Sequence, residues 1–277
     1  MDKTISIRCF AKINLALDVI SYRDDGFHNI KSIFQSISLF DVISIKLTRK
    51  NIIILSSSKD IPINDQNIAY KAANKFFEYT GLESGTEIGI KKNIPVFAGL
   101  GGGSSNGAAV LFGLNKITGA GLSAGELLKI ALQVGSDIPF FFTGGTALVE
   151  GRGEIVKSLT PIKKIFMILV KPDINISTAW AYGKINLKNS HPDIKPDNQY
   201  NIFESAVFPV YPEIKKIKEK LIKSGATSAM MSGSGSAVFG IFDNESAADK
   251  SKAGLNAYYQ SVYKVYTVDH GLEEIKS

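Results

Sequence analysis

The sequence contains a single cysteine, Cys9, and only three histidines among 277 residues. One cysteine excludes an intramolecular disulfide and a thiolate-rich zinc site formed within one chain. No apolar run approaches the roughly 20 residues that a membrane-spanning helix needs. The opening residues, MDKTISIRCF, lack the charged leader and apolar segment of a secretory signal. We therefore expect a cytoplasmic protein without a membrane partner, and no residue cluster predicts a protein-built metal site.

Charge narrows the class of ligand. The chain carries a net charge of +6 and is 44% hydrophobic, so it can form real cores and attract polyanions. Nucleic acid would satisfy this charge as well as a phosphorylated small molecule. The densest basic cluster, KKIKEKLIK at residues 215–223, has apolar residues at helical spacing and is typical of a solvated helix face. Aromatic residues interleaved with a basic stripe are missing, which disfavours an RNA-binding module.

The predicted strands dominate the first sixty residues and recur later. They lie in residues 5–10, 13–20, 42–47, 51–56, 86–91, 145–151 and 165–170, and a closing strand lies in residues 264–270. Turns are predicted near Gly26 and Asp41. Helices are predicted in residues 67–79, from Ser104 toward residue 117, and in residues 123–134, 178–185, 212–224 and 245–258. This order of elements predicts an α+β fold.

The length of the chain favours two domains with a cleft between them. We place the boundary near residue 160, which gives an N-terminal domain of residues 1–160 and a C-terminal domain of residues 161–277. The polar, proline-containing stretch at residues 187–201 is predicted to be a long surface loop that could move over a ligand.

The strongest local signal is the glycine-rich segment PVFAGLGGGSSNG at residues 95–107. Its glycines between strand and helix are Gly99, Gly101, Gly102 and Gly103, and its serines are Ser104 and Ser105. Glycine lets backbone N–H groups approach a ligand closely, and the following helix N-terminus attracts a di- or triphosphate. The segment has neither the Lys-Ser/Thr of a Walker loop nor the G-x-G-x-x-G spacing of a dinucleotide fold. A flexible glycine turn with a serine cap is the alternative.

A second glycine segment, MMSGSGSAVF at residues 230–239, lies between two strand-like runs. A strand-to-strand turn could by itself require the same residues. Paired with the first segment, it suggests two backbone clamps that close on one ligand.

Asp137 stands in GSDIPFFF, after Gly135 and before Pro139. Among apolar neighbours its carboxylate is expected to be half-buried, an environment that suits a general base. Asp followed two positions later by Pro is equally typical of a helix N-cap. The spacing alone leaves both interpretations open.

Lys12 and Asn14 interrupt an apolar strand, and alternate strand residues point to the same face. A partly buried ammonium is costly unless it meets an anion, and a phosphate or Asp137 would serve. The alternative is a lysine at an exposed strand edge. Phe27 and His28, beside the Gly26 turn, could hold a flat heterocycle, although a core phenylalanine and a surface histidine are the commoner pair.

Five motifs occur in the order found in one kinase superfamily. They are AKINLALDV, DGFHNI, PVFAGLGGGSSNG, GSDIPFF and SGSGSAVFG. The chain resembles the superfamily that contains galactokinase, homoserine kinase and mevalonate kinase, and within it the kinases that act on 4-diphosphocytidyl-2-C-methyl-D-erythritol in non-mevalonate isoprenoid synthesis. The resemblance covers essentially the whole chain, and the first two motifs together are the specific ones.

This resemblance implies an N-terminal domain like ribosomal protein S5 domain 2, a ferredoxin-like C-terminal domain and an active site in the cleft. It implies an ATP-dependent kinase with ATP and Mg²⁺, whose metal ligands the sequence leaves open, with a loop serine such as Ser105 as one option. Catalytic roles fall on Asp137 as the base that accepts the proton of the 2-hydroxyl and on Lys12. The implied ATP-binding residues are Pro95, Val96, Phe97, Ala98, Gly99, Leu100, Gly101, Gly102, Gly103, Ser104, Ser105 and Asn67. The implied substrate-binding residues are Asn14, Phe27, His28, Asp137, Thr178, Tyr182, Gly233, Ser234 and Gly235.

Two positions depart from the family pattern. Phe27 stands where tyrosine is usual, so a stacking face is kept and a hydroxyl contact is lost. Met230 and Met231 stand where a basic residue is common. The runner-up is a homoserine- or mevalonate-type kinase, which predicts indifference to the cytidine group. An S5-like RNA-binding module predicts salt-sensitive RNA binding without ATP turnover.

Overall fold

The computed structural model describes residues 4–191, 193–196 and 199–276. Strands form a seven-stranded and a four-stranded sheet, and helices pack on both. The chain is therefore α+β, as predicted. No helix among these residues has the length and hydropathy that a bilayer span requires.

The seven-stranded sheet is built around two very long strands. Its strands are β1 (Thr4–Tyr22), β2 (His28–Thr48), β3 (Ile52–Ser56), β4 (Gly85–Lys91), β5 (Thr146–Gly151), β6 (Ile155–Ser158) and β11 (Leu272–Glu274). The order is β11-β1-β2-β4-β3, and β5 joins β2 on one side and β6 on the other. Different halves of β2 pair with β4 and β5, so β2 is the central strand of this sheet.

Strand β1 unites two strands that the sequence predicted separately. Its pairing with β2 shifts register between Phe10 and Ala11 and again between Asn14 and Ala16. Bulges of this kind bend a strand and re-aim its side chains, and they are common beside active sites. Lys12 lies between the two shifts, and its backbone N–H donates to Leu100 O at 3.0 Å.

The turn predicted near Asp41 is wrong. Asp41 lies inside β2, opposite Cys9, and is fully buried. Aspartate is disfavoured in strands, but here its carboxylate is fully hydrogen-bonded, which the local sequence does not reveal. The turn at Gly26 is confirmed, because Gly26 has φ 80° and donates to Arg23 O.

Four helices lie over the seven-stranded sheet, three of them in contact with its strands and the third along the chain packed on the other helices. They are α1 (Ile68–Thr80), α2 (Gly102–Thr118), α3 (Ala124–Val134) and α4 (Ile138–Thr143). Helix α1 begins at the Asn67 cap and ends at Gly81, where φ is 67°; it buries Ala72 and Phe76 at helical spacing, and a buried phenylalanine contributes about 1.5–3 kcal/mol. Helix α3 has a capping box between Ser123 and Glu126.

The four-stranded antiparallel sheet lies in the second half of the chain. Its strands are β7 (Phe166–Val170), β8 (Ser228–Met231), β9 (Val238–Phe242) and β10 (Val262–Tyr266), in the order β10-β7-β9-β8. Helices α5 (Thr178–Tyr182), α6 (Phe203–Val207), α7 (Pro212–Lys223) and α8 (Glu245–Leu255) complete this half. The predicted closing strand is displaced: β10 ends at Tyr266, and β11 returns to pair with β1.

The stretch at residues 187–201 is tied to β1 near both ends. It begins with a short 3-10 turn, Leu187–Asn189. Asp18 accepts hydrogen bonds from the Ser190 hydroxyl and the His191 N–H, both at 2.7 Å, and Leu17 N donates to Tyr200 O at 2.7 Å. Residues 192, 197 and 198 lie outside the described residues.

Candidate active site

One cavity of about 490 Å³ brings together most of the residues singled out in the sequence. From the first half of the chain it is lined by Lys12, Asn14, Leu17, Ile30, Phe34, Asp60, Ile61, Pro62, Gln66, Asn67, Ile68, Lys92, residues 95–104, Asn106 and Asp137. From the second half it is lined by Thr178, Tyr182, Phe203, Gly233 and Ser234.

Lys12 is buried at the floor of this cavity, with only 4% of its surface exposed. Its Nζ lies 2.8 Å from Asn14 Oδ1, 3.8 Å from Asp137 Oδ2 and 4.4 Å from the Phe34 ring centroid. Burial lowers the pKa of Lys12, and the charge of Asp137 opposes that shift. The shared face of Lys12 and Asn14 is confirmed, and the exposed-edge alternative is wrong.

Asn14 is oriented by a chain of hydrogen bonds. Its Nδ2 donates to Ser32 Oγ at 2.8 Å, and the Ser32 hydroxyl donates to Ala16 O at 2.6 Å. The amide oxygen of Asn14 is therefore the atom that faces Lys12. An ammonium has three donors, and this contact uses one of them.

Asp137 occupies the N-cap position of α4, yet its side chain makes no capping hydrogen bond. The side chain is 33% exposed. The carboxylate is thus directed to the cavity and Lys12 instead of to the helix backbone. The two interpretations that the sequence left open describe the same residue: the backbone starts a helix and the side chain lines the cavity.

Residues 95–105, hereafter the first glycine loop, lead into α2. The helix begins at Gly102, two residues before the predicted start, and its N-cap is Gly101, with φ 68° and no side-chain cap. The serine-capped turn that was the alternative is therefore wrong. The first N–H groups of α2 have no side-chain acceptor at the cap, and Gly102, Gly103 and Ser104 line the cavity.

Four carbonyl groups of the first glycine loop, those of residues 97–100, are bonded to donors in other segments of the chain. Phe97 O and Ala98 O accept from Ser236 N and Ala237 N, Gly99 O accepts from the Ser232 hydroxyl, and Leu100 O accepts from Lys12 N. In a trans peptide the C=O and the following N–H point in opposite directions. The N–H groups of residues 98–101 therefore point away from these partners, and the loop presents donors, not acceptors, on its other side.

Residues 232–236, hereafter the second glycine turn, brace the first glycine loop. A Cβ built on Gly99 would lie 2.0 Å from Ser232 O, so the two backbones are in contact. Asn201 supports the turn because its Nδ2 donates to Met231 O at 2.7 Å and to Gly233 O at 2.8 Å. Glu204 accepts from Met231 N at 2.9 Å.

Three residues expected to contact a ligand have other partners. Ser105 is fully buried outside the cavity lining, and its hydroxyl donates to Phe10 O at 2.7 Å. Gly235 does not line the cavity, since it packs against Met231 and Ile176. Asn67 does line it, but its side chain caps α1 and donates to Pro62 O.

Tyr182 connects the cavity to the residues at the Gly26 turn. Its ring centroid lies 4.6 Å from that of His28, with 34° between the planes. Burial and the charge of Asp137 raise the pKa of Tyr182. His28 Nε2 is buried without a hydrogen-bond partner, and burial lowers the pKa of His28. Phe27 is 46% exposed, and the Arg152 guanidinium lies 5.0 Å from its ring centroid.

Thr178 and Ser234 both line the cavity from the second half of the chain. Their hydroxyl oxygens lie 3.1 Å apart, so the two residues are joined by a hydrogen bond.

Sequence reasoning missed several lining residues. Ile30 and Phe34 would have emerged if the apolar alternation of residues 28–37 had been recognised as a strand. Lys92 adjoins the glycine segment and could have been noticed. Phe203 carries no local signal.

Family models match both halves of the chain. GHMP kinases N terminal domain matches residues 67–145, and GHMP kinases C terminal matches residues 186–261. The first match contains the first glycine loop and Asp137, and the second contains the second glycine turn.

Curated relatives are similar along nearly the full chain. The 4-diphosphocytidyl-2-C-methyl-D-erythritol kinase of Clostridium tetani is 39% identical, covering 95% of this chain and 100% of the relative. The enzyme of the same name from Alkaliphilus oremlandii is 42% identical, covering 98% and 99%.

Solved structures are similar too. A crystal structure of 4-(cytidine 5'-diphospho)-2C-methyl-D-erythritol kinase has a TM-score of 0.81 at 28% identity, covering 95% of this chain and 98% of that one. The homoserine kinase of Cytophaga hutchinsonii has a TM-score of 0.76 at 20% identity, covering 99% and 98%, which is a likeness of fold alone. With both GHMP domains and full-length relatives near 40% identity, the chain belongs to the GHMP kinases and, among them, to the 4-diphosphocytidyl-2-C-methyl-D-erythritol kinase family.

Proposed function

We propose that this kinase transfers the γ-phosphoryl group of ATP to the 2-hydroxyl of 4-diphosphocytidyl-2-C-methyl-D-erythritol. The observation that carries the proposal is one cavity in which a buried ammonium, a carboxylate and a donor-lined glycine loop meet. Phosphoryl transfer needs little covalent work from a protein and depends on positioning and charge stabilisation. The ammonium, the carboxylate and the glycine loop of this cavity supply both.

The first glycine loop holds the ATP phosphates in this proposal. The N–H groups of residues 98–101 and the uncapped start of α2 are the donors, and the helix dipole adds positive potential. Ser105 acts through its bond to Phe10 O, which fastens the helix start to β1. Asn67, as the cap of α1, forms part of the wall on the adenine side.

Asp137 accepts the proton of the 2-hydroxyl while the hydroxyl oxygen forms its bond to the γ-phosphorus. The bond between that phosphorus and the β–γ bridging oxygen breaks, and ADP leaves with the electron pair. Lys12 orients the hydroxyl and offsets the charge on the transferring oxygens with the donors that Asn14 leaves unused. The 3.8 Å between Lys12 Nζ and Asp137 Oδ2 leaves both groups within reach of one hydroxyl.

The cytidine group extends from the cavity past Tyr182 toward the Gly26 turn. Tyr182 both lines the cavity and contacts His28. Phe27 offers an exposed ring face for stacking, and His28 Nε2 is a polar atom without a protein partner. Thr178, Gly233 and Ser234 complete the wall on this side, while Gly235, within the second glycine turn, packs against Met231 and Ile176.

Mg²⁺ fits the residues present as an ion carried by ATP. Among the described residues no cluster of three His, Cys, Asp or Glu could hold a metal by protein ligands alone. Mg²⁺ bound to a nucleotide keeps phosphate and water ligands and needs only one or two protein oxygens. Asp137 and Ser104, which both line the cavity, would supply them. Bound there, the ion would neutralise phosphate charge.

We further propose the finer architecture that the resemblance implies. Residues 1–160 form a unit like ribosomal protein S5 domain 2, residues 161–277 form a ferredoxin-like unit except that β11 returns to the sheet of the first unit, and the active site is the cleft between them. The four-stranded antiparallel sheet with α7 and α8 on it supports the second unit. Lining residues from both halves of the chain support the cleft. The proposed setting is the cytoplasm.

A product assay tests the function. The purified chain is incubated with Mg-ATP and 4-diphosphocytidyl-2-C-methyl-D-erythritol, and the product is identified by mass spectrometry. We expect the 2-phosphate and stoichiometric ADP. Asp137→Asn is expected to abolish turnover and to keep substrate binding, because the amide cannot accept the proton.

Homoserine, mevalonate and RNA serve as the controls. Equal kcat/KM on homoserine or mevalonate, or no loss of substrate affinity in Phe27→Ala, would contradict the cytidine assignment. Full activity of Asp137→Asn would remove the proposed base. Salt-sensitive RNA binding without ATP turnover would contradict the kinase proposal and favour an RNA-binding module.

A further inference from the structure

Asp41 is a buried carboxylate that the proposed reaction does not use. It lies in β2, opposite Cys9 of β1, and is 0% exposed. It does not line the cavity. Since burying a carboxylate is costly unless its oxygens are bonded, its partners show what this position does.

The two oxygens of Asp41 bond opposite ends of the first glycine loop. Oδ1 accepts from the backbone N–H groups of Asn93 at 2.7 Å and Ile94 at 2.8 Å, immediately before the loop. Oδ2 accepts from Asn106 Nδ2 at 2.9 Å, immediately after it. One side chain therefore fixes the distance between the entrance and the exit of the loop.

Lys92 completes this cluster. Its Nζ lies 2.6 Å from Asp41 Oδ2 and also donates to Ile94 O at 2.6 Å. A Cβ built on Gly102 would lie 2.9 Å from this ammonium, so the cation sits against the first turn of α2. A cation is unfavourable at a helix N-terminus, and the Asp41 carboxylate offsets that repulsion.

We propose that Asp41 is a positioning residue, which sets the shape of the first glycine loop by holding both of its ends on one carboxylate. The inference rests on the proposed function, because it assigns the loop to the ATP phosphates. With its ends fixed by Asp41 and its carbonyls bonded to the second glycine turn and β1, the loop keeps its N–H groups on the cavity side. Asp41 acts through the loop and touches neither substrate.

The competing explanation is that Asp41 only stabilises the sheet. That role predicts a loss of thermal stability with unchanged kinetics of the folded protein. The positioning role predicts a selective loss of ATP phosphate recognition. Comparison of ATP with adenosine separates the two, since adenosine lacks the phosphates that the loop would hold.

Asp41→Asn is the test variant, because it keeps the size of the side chain and replaces one acceptor by a donor that faces Lys92 and Asn106. We expect KM for ATP to rise about tenfold or more, since loop displacement by about 1 Å can cost up to about 100-fold. KM for the cytidine substrate should stay within about twofold. The thermal shift caused by ATP should shrink, while the shift caused by adenosine is retained.

Asp18→Asn is the matched control. Asp18 is also 0% exposed and accepts from Val19 N, the Ser190 hydroxyl and His191 N, but these bonds hold another segment. The Asp18→Asn substitution should lower the stability of the fold. It should leave KM for ATP within about twofold of that of the unaltered chain, because no bond to the first glycine loop changes.

Each outcome decides the proposal. A folded Asp41→Asn protein with unchanged KM for ATP, or with equal rises for both substrates, overturns it. If that variant does not fold, Asn106→Ala, which removes the exit bond together with the contact of Asn106 with Cys9 Sγ, replaces it: a selective rise in KM for ATP supports the proposal and an unchanged value overturns it. The comparison of ATP with adenosine requires no turnover, so it remains valid even if the cytidine substrate is refuted.

Discussion

The first glycine loop and the second glycine turn have similar compositions and different uses. In the first, the carbonyls of residues 97–100 all accept hydrogen bonds from outside the loop, so its N–H groups point away from these partners. In the second, the Ser232 hydroxyl and the N–H of Ser236 are donors to the first loop, and Asn201 donates to Gly233 O of the turn and to Met231 O just before it. Glycine content alone therefore does not identify a ligand-binding loop; the partners of its carbonyls do.

The contrast also changes the interpretation of the second turn. Two clamps closing on one ligand were predicted, and Gly233 and Ser234 do line the cavity. Two donors of the turn, however, the Ser232 hydroxyl and the Ser236 N–H, bond the other loop. The C-terminal half of the chain thus positions the loop of the N-terminal half by direct backbone contact.

Gly99→Ala should break this contact and have the largest effect. The new Cβ would lie 2.0 Å from Ser232 O at a residue with φ 73°, so the two loops must separate. We expect kcat/KM for ATP to fall on the order of 100-fold, measured by ADP release. Gly81→Ala is the control, because φ is 67° there but nothing lies within 4 Å. A loss of activity as large in Gly81→Ala would contradict the contact as the cause.

A pH profile sharpens the comparison, since Lys12 is bonded to the first glycine loop through its backbone N–H and Leu100 O. Burial lowers the pKa of Lys12 below the ordinary value of a lysine, 10.5. We expect kcat/KM to fall about tenfold per pH unit above that lowered pKa, because the neutral amine cannot stabilise phosphoryl charge. Folding stability should change oppositely: between the folded-state pKa and 10.5 the unfolded chain binds more protons, so stability rises with pH there.

Lys12→Arg provides the check on this profile, because guanidinium remains charged throughout the range. The activity of this variant should be lower, and the fall in kcat/KM at alkaline pH, the alkaline limb of the profile, should be missing. An identical limb in Lys12→Arg would assign the titration to another group. Rate measurements between neutral pH and the onset of alkaline unfolding give the answer.

Ser232→Ala should have the smallest effect. It removes the hydrogen bond of 3.0 Å to Gly99 O and leaves the backbone bonds between the loops. We expect KM for ATP to rise by a factor of about 3 to 10, in line with about 1 kcal/mol for one hydrogen bond. Ser236→Ala is the control, because its hydroxyl donates to Ile174 O and not to the loop. Equal kinetics for both variants would argue against a brace through Ser232.

Much of the site could be predicted from local sequence. Lys12 and Asn14 were recognisable as polar interruptions in an apolar strand, and the glycine segment as a break between strand and helix. Ile30, Phe34 and Phe203 were missed because apolar residues that line a cavity have the same local pattern as core residues. Phe27 and His28 were placed by resemblance, and they lie beside the cavity lining, next to Tyr182.

The sequence by itself determined the α+β class, the helices with clear caps, the glycine segments and the family, because these depend on local propensity and on motif spacing. Only the tertiary structure decided that Asp41 lies inside a strand, that Ser105 bonds β1, and that one glycine segment braces the other. Each of those outcomes depends on hydrogen-bond partners distant in the chain. A carboxylate such as Asp41 is typical of a turn until residues 93, 94 and 106 are brought to it by folding.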